Sequence, residues 1–362
     1  FPVTNPTATQ DGMMVFVTGL GTPTKGFYYW DETAGVWANF GGATGWLTTG
    51  NNDIVDGTNF IGTLTGTDVD VAFRRNGLAS GRIGDSNTSF GLGATNTNVG
   101  IQNTAFGVNT LLAKTGGSAN TAIGWGALAG AGTYDNAIAL GFQAGSANTA
   151  SNATLLGFQA GQNNSGDRFI AIGFQAGTNN TGLNNIAIGS NALDNHIRDA
   201  SVQNIAIGTN AMGSGSNNST TVSDNIAIGN QAGQSITSIN NVAIGSSAGL
   251  AIGGGESNVA IGSSSMVQVG GSSFNVAIGT EALFNYTGGS NVSIGYRANR
   301  LNGSGFNSVA IGYEANTANL ENAIAIGYQV TAPADNSIRL GNAAITQVIT
   351  SGIITAPSYI AT

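Results

Sequence analysis

The apolar residues of this chain come in short pulses. From about residue 87 to 341 each pulse has the form Asn-(Ile/Val)-Ala-Ile-Gly-x-x-Ala-(Gly/Leu), and a polar stretch of Gly, Asn, Ser and Thr leads to the next. The glycine closing each apolar quartet falls at 91, 107, 124, 141, 157, 173, 189, 208, 229, 245, 262, 279, 295, 312, 327 and 341, sixteen copies in all. Most steps are 16 or 17 residues, and the extremes are 14 and 21. A near-constant period of this length predicts a solenoid with one turn of chain per repeat.

The copy NNIAIGSNAL at 184–193 shows the expected local structure. Ile186 and Ile188 are two apart and share a face, while Ala187 points the other way. Period two with β-branched residues predicts a strand. Gly189 then supplies a bend without a Cβ clash, as Gly208, Gly229 and Gly245 do in later copies. A second short strand is expected around Ala192 and Leu193, with the polar tail returning the chain. Two strands and two turns in so few residues suit a narrow two-sided roll. On this reading Ile186 and Ile188 fill a thin core, and the Ala187 face lets another chain approach closely.

Sixteen rungs about 4.8 Å apart make a rod roughly 75 Å long. So thin a roll buries too little apolar surface alone, so several copies are expected to pack side by side. The two longest steps insert LDNHIRDASVQ (193–203) and MGSGSNNSTTVSD (212–224), both in the polar return, where an unpacked loop tolerates length.

The chain before the repeats is organised differently. Met13–Val17 and Phe27–Trp30 are strand-like, and DETAG (31–35) before Val36 and Trp37 predicts a hairpin turn. Further on, Val69, Val71 and Phe73 alternate with Asp68, Asp70 and Ala72. The expected organisation is an N-terminal β-hairpin module (1–42), a β-rich connector (43–86), the repeat shaft (87–341) and a C-terminal segment (342–362). The fold class is all-β.

Composition narrows the function. Fifty-seven of 362 residues are glycine and only 8% are charged, but 41% hydrophobic residues in periodic positions argue against disorder. The net charge is −8 and there is no basic run, which disfavours nucleic-acid binding through phosphates. No apolar stretch approaches the length that spans a bilayer, so no membrane insertion is expected. With no cysteine, disulfides and thiolate metal sites are excluded.

Candidate chemistry is sparse. His196 is the single histidine, beside Asp194 and Asp199 in an inserted loop; a metal site needs three or four clustered ligands. Asp53, Asp56, Asp68 and Asp70 could bind calcium, but the first two are also ordinary turn formers and the last two share a strand face. The string GWGALAG (124–130) imitates a dinucleotide fingerprint without the strand, helix and later acid it requires. Carboxylates do not recur in the repeats as a glycosidase pair would. The expectation is a protein without catalytic residues, cofactor or metal. The sequons at Asn163 and Asn179 are what Asn-rich turns produce by chance.

Two sets of aromatics stand out. Phe27, Tyr28, Tyr29, Trp30, Trp37 and Trp46 could stack sugars or form a small core. Phe142, Phe158 and Phe174 each follow a marker glycine directly, as do Trp125, Tyr296, Tyr313 and Tyr328. In-register stacking predicts ladders of rings down the rod, for packing or as a glycan-binding stripe.

The unit N-(I/V)-A-I-G-x-x-A, over about 87–341, closely resembles the head repeat of trimeric autotransporter adhesins. The resemblance implies a left-handed parallel β-roll with three chains to a head, hence a homotrimer. FPVTNPTATQDGMMVFVTG (1–19) and GFYYWDETAGVWANFGG (26–42) are similar to modules of secreted surface proteins of Bacteroidetes-type bacteria. NSIRLGNAAITQVITSGIITAPSYIAT (336–362) resembles the segment preceding the self-cleaving intramolecular chaperone of phage tail fibres, which implies that Thr362 is a processed end. Together these imply a non-catalytic, adhesive, extracellular surface fibre whose partners are itself and a surface glycan or receptor. The alternative is a phage tail fibre or spike that recognises a host receptor.

Overall fold

The computed structural model describes residues 14–18, 26–31, 36–39, 70–84, 86–95, 100–113, 115–194, 202–213, 222–267, 270–300, 303–347, 349 and 351. His196, Trp46, Asp53, Asp56, Asp68 and Thr362 lie outside these residues, as does most of both inserted loops. The chain divides into two compact units, Phe1–Gly62 and Thr63–Thr362.

In the first unit β1 (Met14–Val17), β2 (Gly26–Asp31) and β3 (Val36–Asn39) form an antiparallel sheet in chain order. Trp30 pairs with Trp37 and Asp31 with Val36 across the expected hairpin. Tyr28 and Trp30 alternate along β2 with Phe27 and Tyr29, as period two requires. Tyr28 and Trp30 are buried, whereas Phe27 is exposed and packs its ring on Phe16.

The second unit starts with β4 (Val71–Arg75) and β5 (Leu78–Ile83), which pair antiparallel, and β5 then pairs antiparallel with β6 (Asn87–Phe90). From β6 onward every pairing is parallel. β7 (Asn103–Phe106) follows, and then fourteen strands of three residues each: β8 (Thr121–Ile123), β9 (Ile138–Leu140), β10 (Thr154–Leu156), β11 (Ile170–Ile172), β12 (Ile186–Ile188), β13 (Ile205–Ile207), β14 (Ile226–Ile228), β15 (Val242–Ile244), β16 (Val259–Ile261), β17 (Val276–Ile278), β18 (Val292–Ile294), β19 (Val309–Ile311), β20 (Ile324–Ile326) and β21 (Ile338–Leu340). Each strand pairs with the next in register, Ala187 opposite Ala206 and Ala206 opposite Ala227. The result is a parallel β-solenoid of about fourteen turns, and a strand stands at each of the sixteen expected rungs, β6 to β21.

The faces of the strands are the reverse of the expectation. Ala187, Ala206, Ala227, Ala243 and their counterparts are fully buried, whereas Ile186 and Ile188 are only half-buried. Alanine therefore lines the core, and isoleucine or valine points out on both sides of it. Period two identifies the two faces but does not say which is inside. The width of the roll decides that, because a turn this tight has room at the strand centre for one inward side chain, usually a methyl group and in β10 Leu155, and not for two branched ones.

The expected second strand is also absent among the described residues. The positions around Ala192 and Leu193 form turns, although their backbones still stack on the next turn, with Leu193 N–H donating to Ala211 O at 2.9 Å. A left-handed residue inside each turn (Asn191, Leu193) bends the chain too sharply for an extended strand.

The marker glycines are required twice over. Gly189, Gly208, Gly229 and Gly245 have φ near +130°, and a Cβ on Gly208 would lie 2.4 Å from the carbonyl oxygen of Gly229. Neither that backbone angle nor that approach admits another residue.

Large side chains complete the core of most turns. In some turns the side chain comes from the fourth residue after the marker: Leu128, Leu193, Met212, Met266 or Leu283. In others that position is glycine, and Leu155, Phe169, Ile236 or Ile252 enters from elsewhere on the turn. A Cβ on Gly177 would sit 2.0 Å from the Phe169 ring, and one on Gly233 2.6 Å from Ile236. The Gly/Leu alternation of the repeat is thus a choice of which residue fills the slot.

Candidate interaction surfaces

The polar part of the repeat makes a buried ladder. The asparagine before each of the strands β12–β18 (Asn185, Asn204, Asn225, Asn241, Asn258, Asn275, Asn291) is almost wholly enclosed. Its Oδ1 accepts the backbone N–H of the next asparagine, at 2.8 Å from Asn204 to Asn185 and 2.9 Å from Asn241 to Asn225. Its Nδ2 donates to a carbonyl in the return, from Asn204 to Val222 and from Asn225 to Ser238. These amides satisfy buried backbone groups where the chain turns out of the sheet ladder. The sequence displays this asparagine at a fixed register, and its fixed register is the one sign of a buried role.

Outside, the structure offers two kinds of surface. The first is aliphatic. Along β8–β21 the first and third strand residues form two parallel columns, aliphatic except at Thr121 and Thr154, such as Ile186-Ile205-Ile226-Val242 and Ile188-Ile207-Ile228-Ile244. Ile138 and Leu140 are each 47% exposed, and Ile228 and Ile278 are 36% and 37% exposed. At about 4.8 Å per strand the two columns run for roughly 60 Å. Tens of Å² per residue sum to on the order of 1,000 Å², beyond the few hundred Å² that a monomer ordinarily exposes in one patch.

The second kind is aromatic. Trp125, Phe142, Phe158 and Phe174 stack with ring centroids 5.0–5.2 Å apart and planes within 12° of parallel. Tyr296, Tyr313 and Tyr328 form a second stack at 5.2 Å. All seven are partly exposed, and the inner rings Phe142, Phe158 and Tyr313 have a stacked neighbour on each face. Beside the first stack runs a glutamine ladder, in which Gln159 donates to Gln143, and Gln175 to Gln159, at 2.9 Å. Between the stacks the same column carries Ser190, Thr209, Asn230, Ser246, Ser263 and Thr280.

Beside the tyrosine stack the glutamine position becomes charged. Arg297 and Arg300 both donate their Nε–H to Oε2 of Glu281, at 2.8 and 2.5 Å, and Arg297 Nη1 lies 3.7 Å from Glu314. The hydrogen bond from Arg297 holds the Glu281 carboxyl below its usual range and raises the Arg297 guanidinium in turn. The guanidinium of Arg297 also sits 4.7 Å above the Tyr296 ring. The neighbouring Glu314 carboxylate pushes the Tyr313 phenol up.

Elsewhere, Asp70 forms a half-exposed ion pair with Arg82 at 3.1 Å. Among the described residues no group of three or more histidines and carboxylates gathers as a metal site, and no helix is long and apolar enough to cross a membrane. Asn163, in one sequon, bonds Asn179, in the other, at 2.9 Å. GWGALAG forms a turn after β8, with Ala127 and Leu128 buried. In comparisons with known proteins, no family model, curated protein or solved structure matches this chain.

Proposed function

We propose that the chain is a structural and adhesive subunit of an extracellular fibre, a left-handed β-roll that assembles as a parallel homotrimer, without catalytic activity. The observation that carries this reading is the double aliphatic column. A continuous apolar strip on a rigid rod calls for a cover along its whole length. Identical rods supply one. Around a threefold axis parallel to the rods, each strip meets the other two and all three leave water together. The close contact assigned to the Ala face thus passes to the Ile/Val face. The adhesin-type repeat supports the same stoichiometry, and the Bacteroidetes-like N-terminal segment favours a cellular surface over a virion tail.

Mass measurement in native solution tests the assembly. The expected species is three copies of the 36.2 kDa chain. Replacing Ile207 and Ile244 together by Asp should give a folded monomer, because both side chains lie outside the core. A wild-type monomer, or an antiparallel dimer, would overturn the trimer.

A further inference from the structure

A pocket of about 340 Å³ opens beside the tyrosine stack, lined by Arg297, Arg300, Glu314, Asn316, Gln329 and Thr331. That is the lower end of the size that takes a small ligand. Every lining side chain carries a polar or charged end, and the apolar part of the wall is made of their stems and the Thr331 methyl. What the walls offer is two guanidinium groups, one carboxylate, two amides and a hydroxyl.

The hydrogen bonds show which groups are engaged. Glu281, outside the lining, accepts the Nε–H of both arginines on a single oxygen and so holds the two guanidinium groups near each other. Arg297 Nη1 lies 3.7 Å from Glu314, and the guanidinium groups of Arg297 and Arg300 lie 4.7 and 5.5 Å from the Tyr296 and Phe284 ring centroids. Such a pair matches a carboxylate, whose two oxygens span a guanidinium fork. On the other wall Glu314 accepts from Gln329 at 2.9 Å and has further acceptor capacity for hydroxyl donors. It also opposes a second negative charge, which disfavours phosphate dianions and sulfated polymers. In a chain of net charge −8, long-range attraction of polyanions is absent, so any anion must be held by local contacts.

We propose that this pocket binds one carboxylated sugar residue, its carboxylate on Arg297 and Arg300 and its hydroxyls on Glu314, Asn316, Gln329 and Thr331. A uronic acid and a sialic acid share this chemistry. The inference deepens the adhesive reading and rests on it for biological sense, but the binding does not require the trimer.

Calorimetric or saturation-transfer NMR titration of the full chain tests it, with methyl glucuronide, methyl glucoside, N-acetylneuraminate and inorganic phosphate as probes. One of the two acidic sugars should bind at least tenfold more tightly than the glucoside and than phosphate, and the tighter one names the source. Arg300→Gln should weaken that binding at least tenfold, Thr331→Val less so, while Arg168→Gln, far along the chain, changes nothing. Failure of both acidic sugars to bind more tightly than the glucoside and phosphate, or an unchanged Arg300→Gln protein, would overturn the proposal. Native mass is measured on the same samples: a monomer that binds the acidic sugar overturns the trimer and keeps the pocket.

Discussion

The turns around β9–β11 and those around β13–β18 use the same strand for different interiors. In the later turns the residue before the strand is the laddered asparagine, from Asn204 to Asn291. In the earlier turns that slot holds Ala137, Ala153 and Phe169, and the buried amides have moved into the return, at Asn148, Asn164 and Asn180. There Asn164 donates to Asn148 at 2.7 Å and Asn180 to Asn164 at 2.9 Å. Asn185 donates to Asn180 Oδ1 at 3.0 Å and joins the two ladders. Most turns must satisfy buried polar groups and fill a large slot, but the positions that do so are interchangeable. The fold is set by the sum of a turn's contents more than by any single position in it.

The sharpest way to break this comparison is to convert one turn type into the other. Gly177→Leu places a side chain where the Phe169 ring already lies, and overpacking of that degree should cost about 3 kcal/mol or more. The left-handed backbone is not the obstacle, since Leu193 holds the same position at φ 50°. Adding Phe169→Ala should therefore return most of the loss. Urea unfolding of the single and double variants checks this; a double variant as unstable as the single would refute the interchange.

The second test removes an amide from each ladder. Asn225→Ala leaves Asn241 N–H and Ser238 O without their side-chain partner, for a cost of about 2–4 kcal/mol. Asn164→Ala strands Gly166 and the Nδ2 of Asn180 and should cost a similar amount. Because a solenoid couples mainly neighbouring turns, hydrogen exchange should rise locally around the substituted turn. Uniform loss of protection along the whole rod would contradict that.

The sequence made the period, the strand register and the corner glycines legible, because each is a local demand repeated many times. The inner face was not legible. Ile186 and Ile188 are the larger and more apolar pair, and burying them is the ordinary expectation; only the dimensions of the closed turn reverse it. The laddered asparagines were visible as letters but not as a core, since asparagine is usually a surface residue. Ala192 and Leu193 look like a strand until the positive φ of Leu193 is known. The pocket was hidden for another reason: Arg297 and Arg300, Glu314 and Gln329 span 32 residues, and three different turns bring them together.

The smallest test concerns the ring column, where the earlier and later turns differ on the surface. Phe158 stacks between Phe142 and Phe174, and Ser246 holds the equivalent position in a later turn that folds in the same way. The ring is 41% exposed and fills no core slot. Two stacking contacts at about 0.5–1.5 kcal/mol each set the upper limit of its contribution, and partial exposure reduces that, so Phe158→Ser should cost about 1 kcal/mol. If the column is a packing device, Phe142 and Phe174 lose their shared neighbour and Phe158→Ser measurably lowers the unfolding midpoint. If the column instead serves a ligand, stability should hold while binding to a glycan surface falls. The covered faces of Phe158 favour the first outcome, because sugar stacking needs a free face.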